Sequence, residues 1–283
     1  MTSVMPVSET ALVTLWCRAS EARRADGIID DPMAITLLDS IGYDISKLKY
    51  KPAANRQDLA LRALAFDAGT RRFLSAHPKA TVVALGEGLQ TSFWRLDAAG
   101  VGHDFRWLTV DLEPNIELRE QLLPQTPRIS ASAQSVLDFS WMDQVDPQHG
   151  VFVTAEGLLP YLEPDEALGV IAECARRFPG GQMMFDLPPK SQALLARHSL
   201  WSTLRGDWPR TPFSLTRREL ADLPDSVRGL RAVHNLPLPR GRGPMFGGLL
   251  PRTEHLPVYQ PFRRLIGLNW PTIAMLALVE FAP

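Results

Sequence analysis

Apolar residues over the first 76 positions recur at helical spacing, and the pattern then changes to short apolar runs separated by further helical stretches. Over 10–25, Leu12, Leu15, Trp16 and Ala19 make one apolar face, with Arg18, Glu21, Arg23 and Arg24 off it. Asp30-Asp31-Pro32 reads as a turn into a second helix with proline in its first turn, continued by Ala34, Leu37, Leu38 and Ile41. After a loop over 42–51, a long helix is predicted over 55–76, where Leu59, Arg62, Ala63, Phe66, Thr70, Phe73 and Leu74 recur. These elements predict a helical N-terminal cap over 1–76, packed on an α/β domain over 77–283.

From residue 81 the pattern is strand, helix, strand. Strands are predicted over 81–85, 106–112, 128–136, 151–155 and 182–187. Helices start near Thr91 and span 116–123 and 164–178, the last stopped by Pro179-Gly180-Gly181. Such alternation predicts a parallel sheet covered by helices. Residues 190–223 read as irregular helix interrupted by Pro209 and Pro212, within a lid or substrate insertion over about 190–225. Final strands over 230–236 and 272–281 flank a Gly/Pro-rich loop at 237–261.

Candidate chemistry gathers at the carboxyl ends of these strands. T-V-V-A-L-G-E-G-L-Q-T, 81–91, is a strand, a turn with Gly86 and Gly88, and a helix start, the arrangement of a nucleotide crevice. The third glycine of the dinucleotide fingerprint is missing, which favours a nucleoside ligand without pyrophosphate over NAD or FAD. Asp111 ends the second strand where an acid meets ribose hydroxyls, or where it simply caps the next helix. Asp138, after Val136 and Leu137, stands where an adenine ring can be held, with a helix cap as the competing role. Glu156 ends the apolar fourth strand, where its carboxylate can hold an ammonium group.

Composition narrows the classes. Hydrophobic residues are 45%, charged residues 22% and net charge −1, which gives no electrostatic ground for nucleic acid or an anionic membrane as partner. Two cysteines, Cys17 and Cys174, sit in helical settings and read as buried thiols of a cytoplasmic protein. No secretory signal is expected at the start, and the apolar run at 273–279 is too short to span a bilayer. No cluster has metal spacing, so a metal-free reaction is expected, and no G-x-S-x-G points to a hydrolase.

Arg18-Ala19, Asp31-Pro32, Arg62, A-L-G-E-G-L-Q-T-S-F-W-R-L from residue 84, V-D-L at 110–112, S-V-L-D at 135–138 and A-E-G-L-L-P-Y-L at 155–162 follow in a characteristic order. Together they resemble the leucine carboxyl methyltransferase family, and more closely its bacterial tetracenomycin-type polyketide O-methyltransferase branch. The resemblance covers about 15–190. It implies a Rossmann-like class I S-adenosylmethionine (SAM) methyltransferase fold, a seven-stranded mostly parallel sheet ending in an antiparallel hairpin, with the helical cap in front. It also implies roles: Arg62 on the methionine carboxylate of SAM, Gly86 and Gly88 under the methionine part, Asp111 on the ribose, Val136-Leu137-Asp138 beside the adenine, and Glu156 near the amino group. Departures are Glu87 in place of a small residue, Gln90-Thr91-Ser92 in place of Asp-Thr-Arg, and Ala63 after Arg62.

The resemblance implies methyl transfer to a carboxylate or phenolic hydroxyl of a small molecule such as a polyketide. A protein C-terminal carboxylate as acceptor and a SAM-binding protein without turnover remain as alternatives; a nicotinamide oxidoreductase is disfavoured by the missing glycine. An ionised carboxylate acceptor needs no base, whereas a phenol does. His198 and Tyr161 are the leading candidates for the acceptor pocket, followed by Arg205, His234 and His255, with Trp201 and Trp208 as packing or lid residues.

Overall fold

The computed structural model describes residues 9–44, 47, 56–188, 210–242 and 275–283. Helices α1 (Glu9–Ala22), α2 (Pro32–Ile41) and α3 (Arg56–Ala76) come before β1 (Thr81–Leu85). Then follow α4 (Ser92–Ala98), β2 (Arg106–Asp111), α5 (Glu113–Leu122), β3 (Ile129–Ala133), β4 (Val151–Ala155), α6 (Pro164–Arg177) and β5 (Gln182–Leu187). Short helices α7 (Arg217–Ala221) and α8 (Leu223–Ser226) lead to β6 (Leu230–Leu236) and β7 (Met275–Phe281).

The strands form one seven-stranded sheet in the order β3-β2-β1-β4-β5-β7-β6. Strands β1 to β5 pair parallel, and β7 pairs antiparallel with both β5 and β6. The chain steps outward from β1 to β2 and β3, then crosses back to β4, so order reverses between β1 and β4. Their registers, Leu85 opposite Val110 and Ala84 opposite Thr154, bring Gly86, Asp111 and Glu156 to one edge of the sheet. A crevice at such a reversal is the general ligand site of open α/β sheets.

Both faces of the central strands are buried, which is why they read as continuous apolar runs. On one face Val82, Ala84, Phe152 and Met184 pack with Phe66 and Phe73 of α3 and Phe93 of α4. On the other, Val83, Leu85, Val153 and Met183 pack with Val170, Ile171 and Cys174 of α6 and with Trp141. Thus α3 shares the core of the sheet. A Cβ at Gly69 would stand 2.7 Å from Met184 Sδ, so α3 seats at a separation that suits glycine. Helices α1 and α2 make a separate core of Leu12, Leu15, Leu37 and Leu38 with Leu89 and Leu123.

Boundaries differ where local chemistry intervenes. Helix α5 begins at Glu113, three residues earlier than periodicity suggests, because Pro114 is suited to the first turn. Strand β3 stops at Ala133, because Ser135 to Asp138 close a turn (Asp138 N–H to Ser135 O, 3.0 Å) into a 3₁₀ helix at Phe139–Gln144. Arg18 and Glu21, expected on the polar face of α1, are buried. Helix α3, Asp31 and the chain around Arg242 close over α1, and each buried charge has an opposite charge beside it. Cys17 and Cys174 are buried and not disulfide-bonded. Among the described residues no helix is long and apolar enough to cross a membrane. Most of the expected insertion at 190–225 and of the loop at 237–261 lies outside the described residues.

Candidate cofactor site

The turn after β1 is held from three sides. Gly86 and Gly88 have φ of 57° and 54°, the left-handed region that glycine enters without a Cβ penalty. Gly86 N–H donates to Val110 O at 2.8 Å, and Gly88 N–H donates to Asp111 Oδ2 at 2.6 Å. The other Asp111 oxygen accepts from Leu112 N–H (2.7 Å) and Asn115 Nδ2 (2.8 Å), so this acid also holds the start of α5. From α5, Arg119 donates to the carbonyls of Gly88 (2.9 Å) and Gln90 (2.8 Å) and ion-pairs with Glu87 at 2.9 Å. Glu87 Oε2 accepts from Trp107 Nε1 (3.2 Å) and the Thr109 hydroxyl. The unusual glutamate of the turn therefore has its own partners on β2 and α5.

A Cβ at Gly86 would lie 2.9 Å from Leu158 Cδ1. Gly86→Ala is expected to cost about 1–2 kcal/mol of stability through the left-handed backbone alone. Gly169→Ala, inside α6 with nothing within 4 Å of the added methyl, should be neutral or stabilising. Parallel denaturation curves of the two variants check the contrast.

A cluster of acids surrounds Arg62 at the ends of β4 and β5. Its Nε donates to Glu156 Oε1 and its Nη1 to Asp186 Oδ2, each at 3.0 Å. Asp186 Oδ1 accepts from Gly157 N–H at 2.6 Å, tying the loop after β4 to β5. Asp58, one helical turn before Arg62, is buried near the same guanidinium. Burial pushes its carboxyl up to about 7, with Arg62 opposing and Asp186 reinforcing the shift. Burial also raises the Glu156 carboxyl, against the pull of Arg62 and Arg18. Asp186 follows the strand-end rule that singled out Asp111 and Glu156, and Asp58 stands four residues from Arg62, a helical-face spacing; neither was expected from the sequence.

A second charge network joins the first two helices to the turn. Asp31, fully buried, caps α2 through Ala34 N–H (2.9 Å), accepts from the Thr91 hydroxyl (2.7 and 2.8 Å) and from Arg95 Nη1 (2.6 Å), and lies 3.5 Å from Arg18 Nε. Arg95 also makes a two-pronged pair with Asp67 at 2.7 and 3.0 Å and donates to Ser92 Oγ at 2.9 Å. Arg18, 1% exposed, donates from Nη2 to Leu89 O at 2.6 Å, while its Nε and Nη1 have no hydrogen-bond partner among the described residues. Burial lowers its proton affinity, offset in part by Asp31, and Glu156 lies within its field. An under-compensated guanidinium below a glycine turn is suited to an incoming anion.

Between these networks lies a cleft bordered by Phe66 and Thr70 of α3, by Gly86 and Gln90 of the turn, and by Trp107 and Glu156. Gly86, Gly88, Asp111, Arg62 and Glu156 thus converge, as anticipated, on one sheet edge. Val136 is buried in the core and Leu137 packs against it, whereas Asp138 is exposed and accepts from Ser140 N–H at 3.1 Å as the cap of the 3₁₀ helix. Tyr161 is 38% exposed and acts electrostatically on Arg62, so it stands at the β4 side of the cleft. His234, by contrast, is on β6 at the far edge of the sheet, 3.0 Å from Glu280. His198, Trp201, Arg205, Trp208 and His255 lie outside the described residues.

This sheet order, with its antiparallel last strands and a glycine turn at the reversal, defines the class I methyltransferase fold. The crystal structure of a protein from Thermobifida fusca YX, provisionally assigned as a methyltransferase, has the same fold, with a TM-score of 0.56 and 16% identity over 99% of this chain and 96% of that one. The leucine carboxyl methyltransferase family profile matches residues 11–175, and the chain belongs to that family. It is 34% identical over 180 residues to the tetracenomycin polyketide synthesis O-methyltransferase TcmP of Streptomyces glaucescens, across 64% of this chain and 65% of that protein. It is 26% identical over 244 residues to the S-adenosyl-L-methionine-dependent methyltransferase dpfgK of Gibberella zeae, across 79% of each. The match therefore spans a little under two thirds of the length of the tetracenomycin protein.

Proposed function

We propose that the chain is a SAM-dependent O-methyltransferase whose acceptor is a carboxylate or phenolic hydroxyl of a small secondary metabolite. The observation that carries this reading is a buried guanidinium lacking two hydrogen-bond partners among the described residues, Arg18, within the field of a strand-end carboxylate at the cleft, Glu156. Such a pair of opposite charges suits the carboxylate and ammonium of an amino-acid ligand. Arg18 takes the carboxylate, since Arg62 is already bonded to Glu156 and Asp186. Glu156 faces the ammonium. Asp111 receives three donors here, and a carboxylate has about four lone-pair sites, so one remains for a ribose hydroxyl. Val136, Leu137 and Asp138 border the adenine side. The departures at Glu87 and Ser92 are absorbed by bonds within the fold, which favours a working site over an emptied one.

SAM, when bound, supplies a methyl group made electrophilic by its sulfonium. The work left to the protein is to align the acceptor and exclude water. Tyr161 and His198 are proposed on the acceptor side, His198 as the proton acceptor where the nucleophile is a phenol. The names of the curated relatives favour a small polyketide-like acceptor over a protein carboxyl terminus.

Calorimetric titration with SAM, S-adenosylhomocysteine and NADH tests the reading. Micromolar binding of either methyl-donor ligand and none of NADH is expected. Binding of neither SAM nor S-adenosylhomocysteine would overturn it.

A further inference from the structure

Gly88 gives both of its backbone groups to one short stretch of chain. Its N–H donates to Asp111 Oδ2 at 2.6 Å. Its carbonyl accepts at 2.9 Å from Nη1 of Arg119, on the helix whose start Asp111 holds. The same Nη1 reaches the Gln90 carbonyl at 2.8 Å, while Nη2 lies 2.9 Å from Glu87 Oε1. Arg119 is buried, and its guanidinium lies over the Trp94 ring, 5.8 Å from the centroid. The peptide between Glu87 and Gly88 carries the N–H that meets Asp111. Arg119 grips it from both sides, through the Glu87 side chain before it and the Gly88 carbonyl after it. Glycine has no Cβ to resist rotation, so this grip, and not the residue's own sterics, fixes where the N–H points. Among the described residues, Gly88 N–H is the one donor to Asp111 Oδ2; Leu112 N–H and Asn115 donate to the other oxygen.

We propose that Arg119, backed by Glu87, is a positioning residue for cofactor binding: by fixing the Gly88 N–H it aims the Asp111 carboxylate at the ribose hydroxyls. The proposal rests on the cofactor reading given above. Arg119 acts through Asp111 and touches no part of the ligand. With the guanidinium removed, the Gly88 peptide turns more freely and Asp111 Oδ2 loses the donor that orients it. The carboxylate then swings about its contacts with Leu112 and Asn115. Glu87 supplies the opposite charge that a buried guanidinium needs. The turn keeps other supports when Arg119 is lost. Arg18 still holds the Leu89 carbonyl at 2.6 Å, and Glu87 Oε2 still accepts from Trp107 and Thr109.

The test is a ligand contrast. S-adenosylhomocysteine and its 2′,3′-dideoxy analogue differ only in the ribose hydroxyls. In the unaltered protein the first is expected to bind about tenfold or more tightly, the worth of a hydrogen bond to a charged group. In Arg119→Met that gap should shrink below about threefold, as it should in Asp111→Ala, because the carboxylate no longer meets the hydroxyls. Arg119→Met also leaves Glu87 without its cation, so its melting temperature should fall. In Glu87→Gln/Arg119→Met the two charges leave together. Melting should then recover while the gap stays closed, which separates aiming from stability. Should Arg119→Met fail to fold, the double variant decides. A gap of full size in the double variant would overturn the assignment, as would a gap absent from the unaltered protein while S-adenosylhomocysteine binds. Absence of binding by both S-adenosylhomocysteine and SAM would overturn the cofactor reading itself, and this one with it.

Discussion

Asp31→Ala is expected to cost about 3–5 kcal/mol of stability, the range for removing one member of a buried ion pair. Asp31 is fully buried, and its carboxylate serves the α2 N-terminus, Thr91, Arg95 and Arg18 at once. Arg95 retains Asp67 when Asp31 is lost. Among the described residues Arg18 then retains only the Leu89 carbonyl as hydrogen-bond partner, so a buried guanidinium is stranded beneath the turn. The matched control is Asp39→Ala, which breaks the pair with Arg23 on the surface, where Asp39 is 63% exposed. That change should cost less than about 1 kcal/mol. Denaturant midpoints for the two variants, measured together, give the comparison; equal shifts would show that Asp31 is no hub.

The same residue gives an acid limb. Burial alone would raise the Asp31 carboxyl, but Arg95, Arg18 and the Thr91 and Ala34 donors more than reverse this and hold it below the ordinary aspartate range. A group whose proton affinity falls on folding adds stability above its unfolded pKa and loses it as pH drops through the folded one. The Asp31 contribution is therefore complete at neutral pH and fades only in acid, below about pH 4.

The second large effect concerns ligand binding. Replacing SAM by its decarboxylated analogue should weaken binding to the unaltered protein about 10–100-fold, the worth of a charge-assisted hydrogen bond of about 1.5–3 kcal/mol. In Arg18→Gln that gap should shrink to less than about threefold, because the residue that reads the carboxylate is gone. Arg62→Gln should leave the gap in place, while weakening both ligands by freeing Glu156 and Asp186 from their guanidinium. A gap that closes in Arg62→Gln and persists in Arg18→Gln would return the carboxylate to Arg62, the role implied by family resemblance. Paired titrations on two variants and two ligands form a complete cycle.

Much of this site was legible in the chain. A strand, glycine turn and helix start occupy the predicted positions, β4, β5 and β6 match to the residue, and Asp111 and Glu156 end their strands as expected. Strand-end position is a local property, because an apolar run fixes where a buried strand stops. Asp138 illustrates the limit of the same logic: its place after β3 was correct, but its side chain caps a 3₁₀ helix. Spacing cannot separate a cap from a ligand contact, since both put a carboxylate at the start of a turn.

The sequence by itself determined the order of elements, the parallel sheet and the position of the crevice, because hydrophobic periodicity and glycine placement act over neighbouring residues. Tertiary structure decided the partners of the charges. Arg18 and Asp31 are 13 positions apart and meet Leu89 and Arg95 only when the first helices dock on the turn. Arg62 and Asp186 are separated by 124 positions, yet share a hydrogen bond between α3 and β5. In each case burial makes an unpaired charge costly, so folding must bring an opposite charge from whatever distance in sequence holds one. Which arginine is left with unused donors follows from that long-range matching and is written in no local pattern.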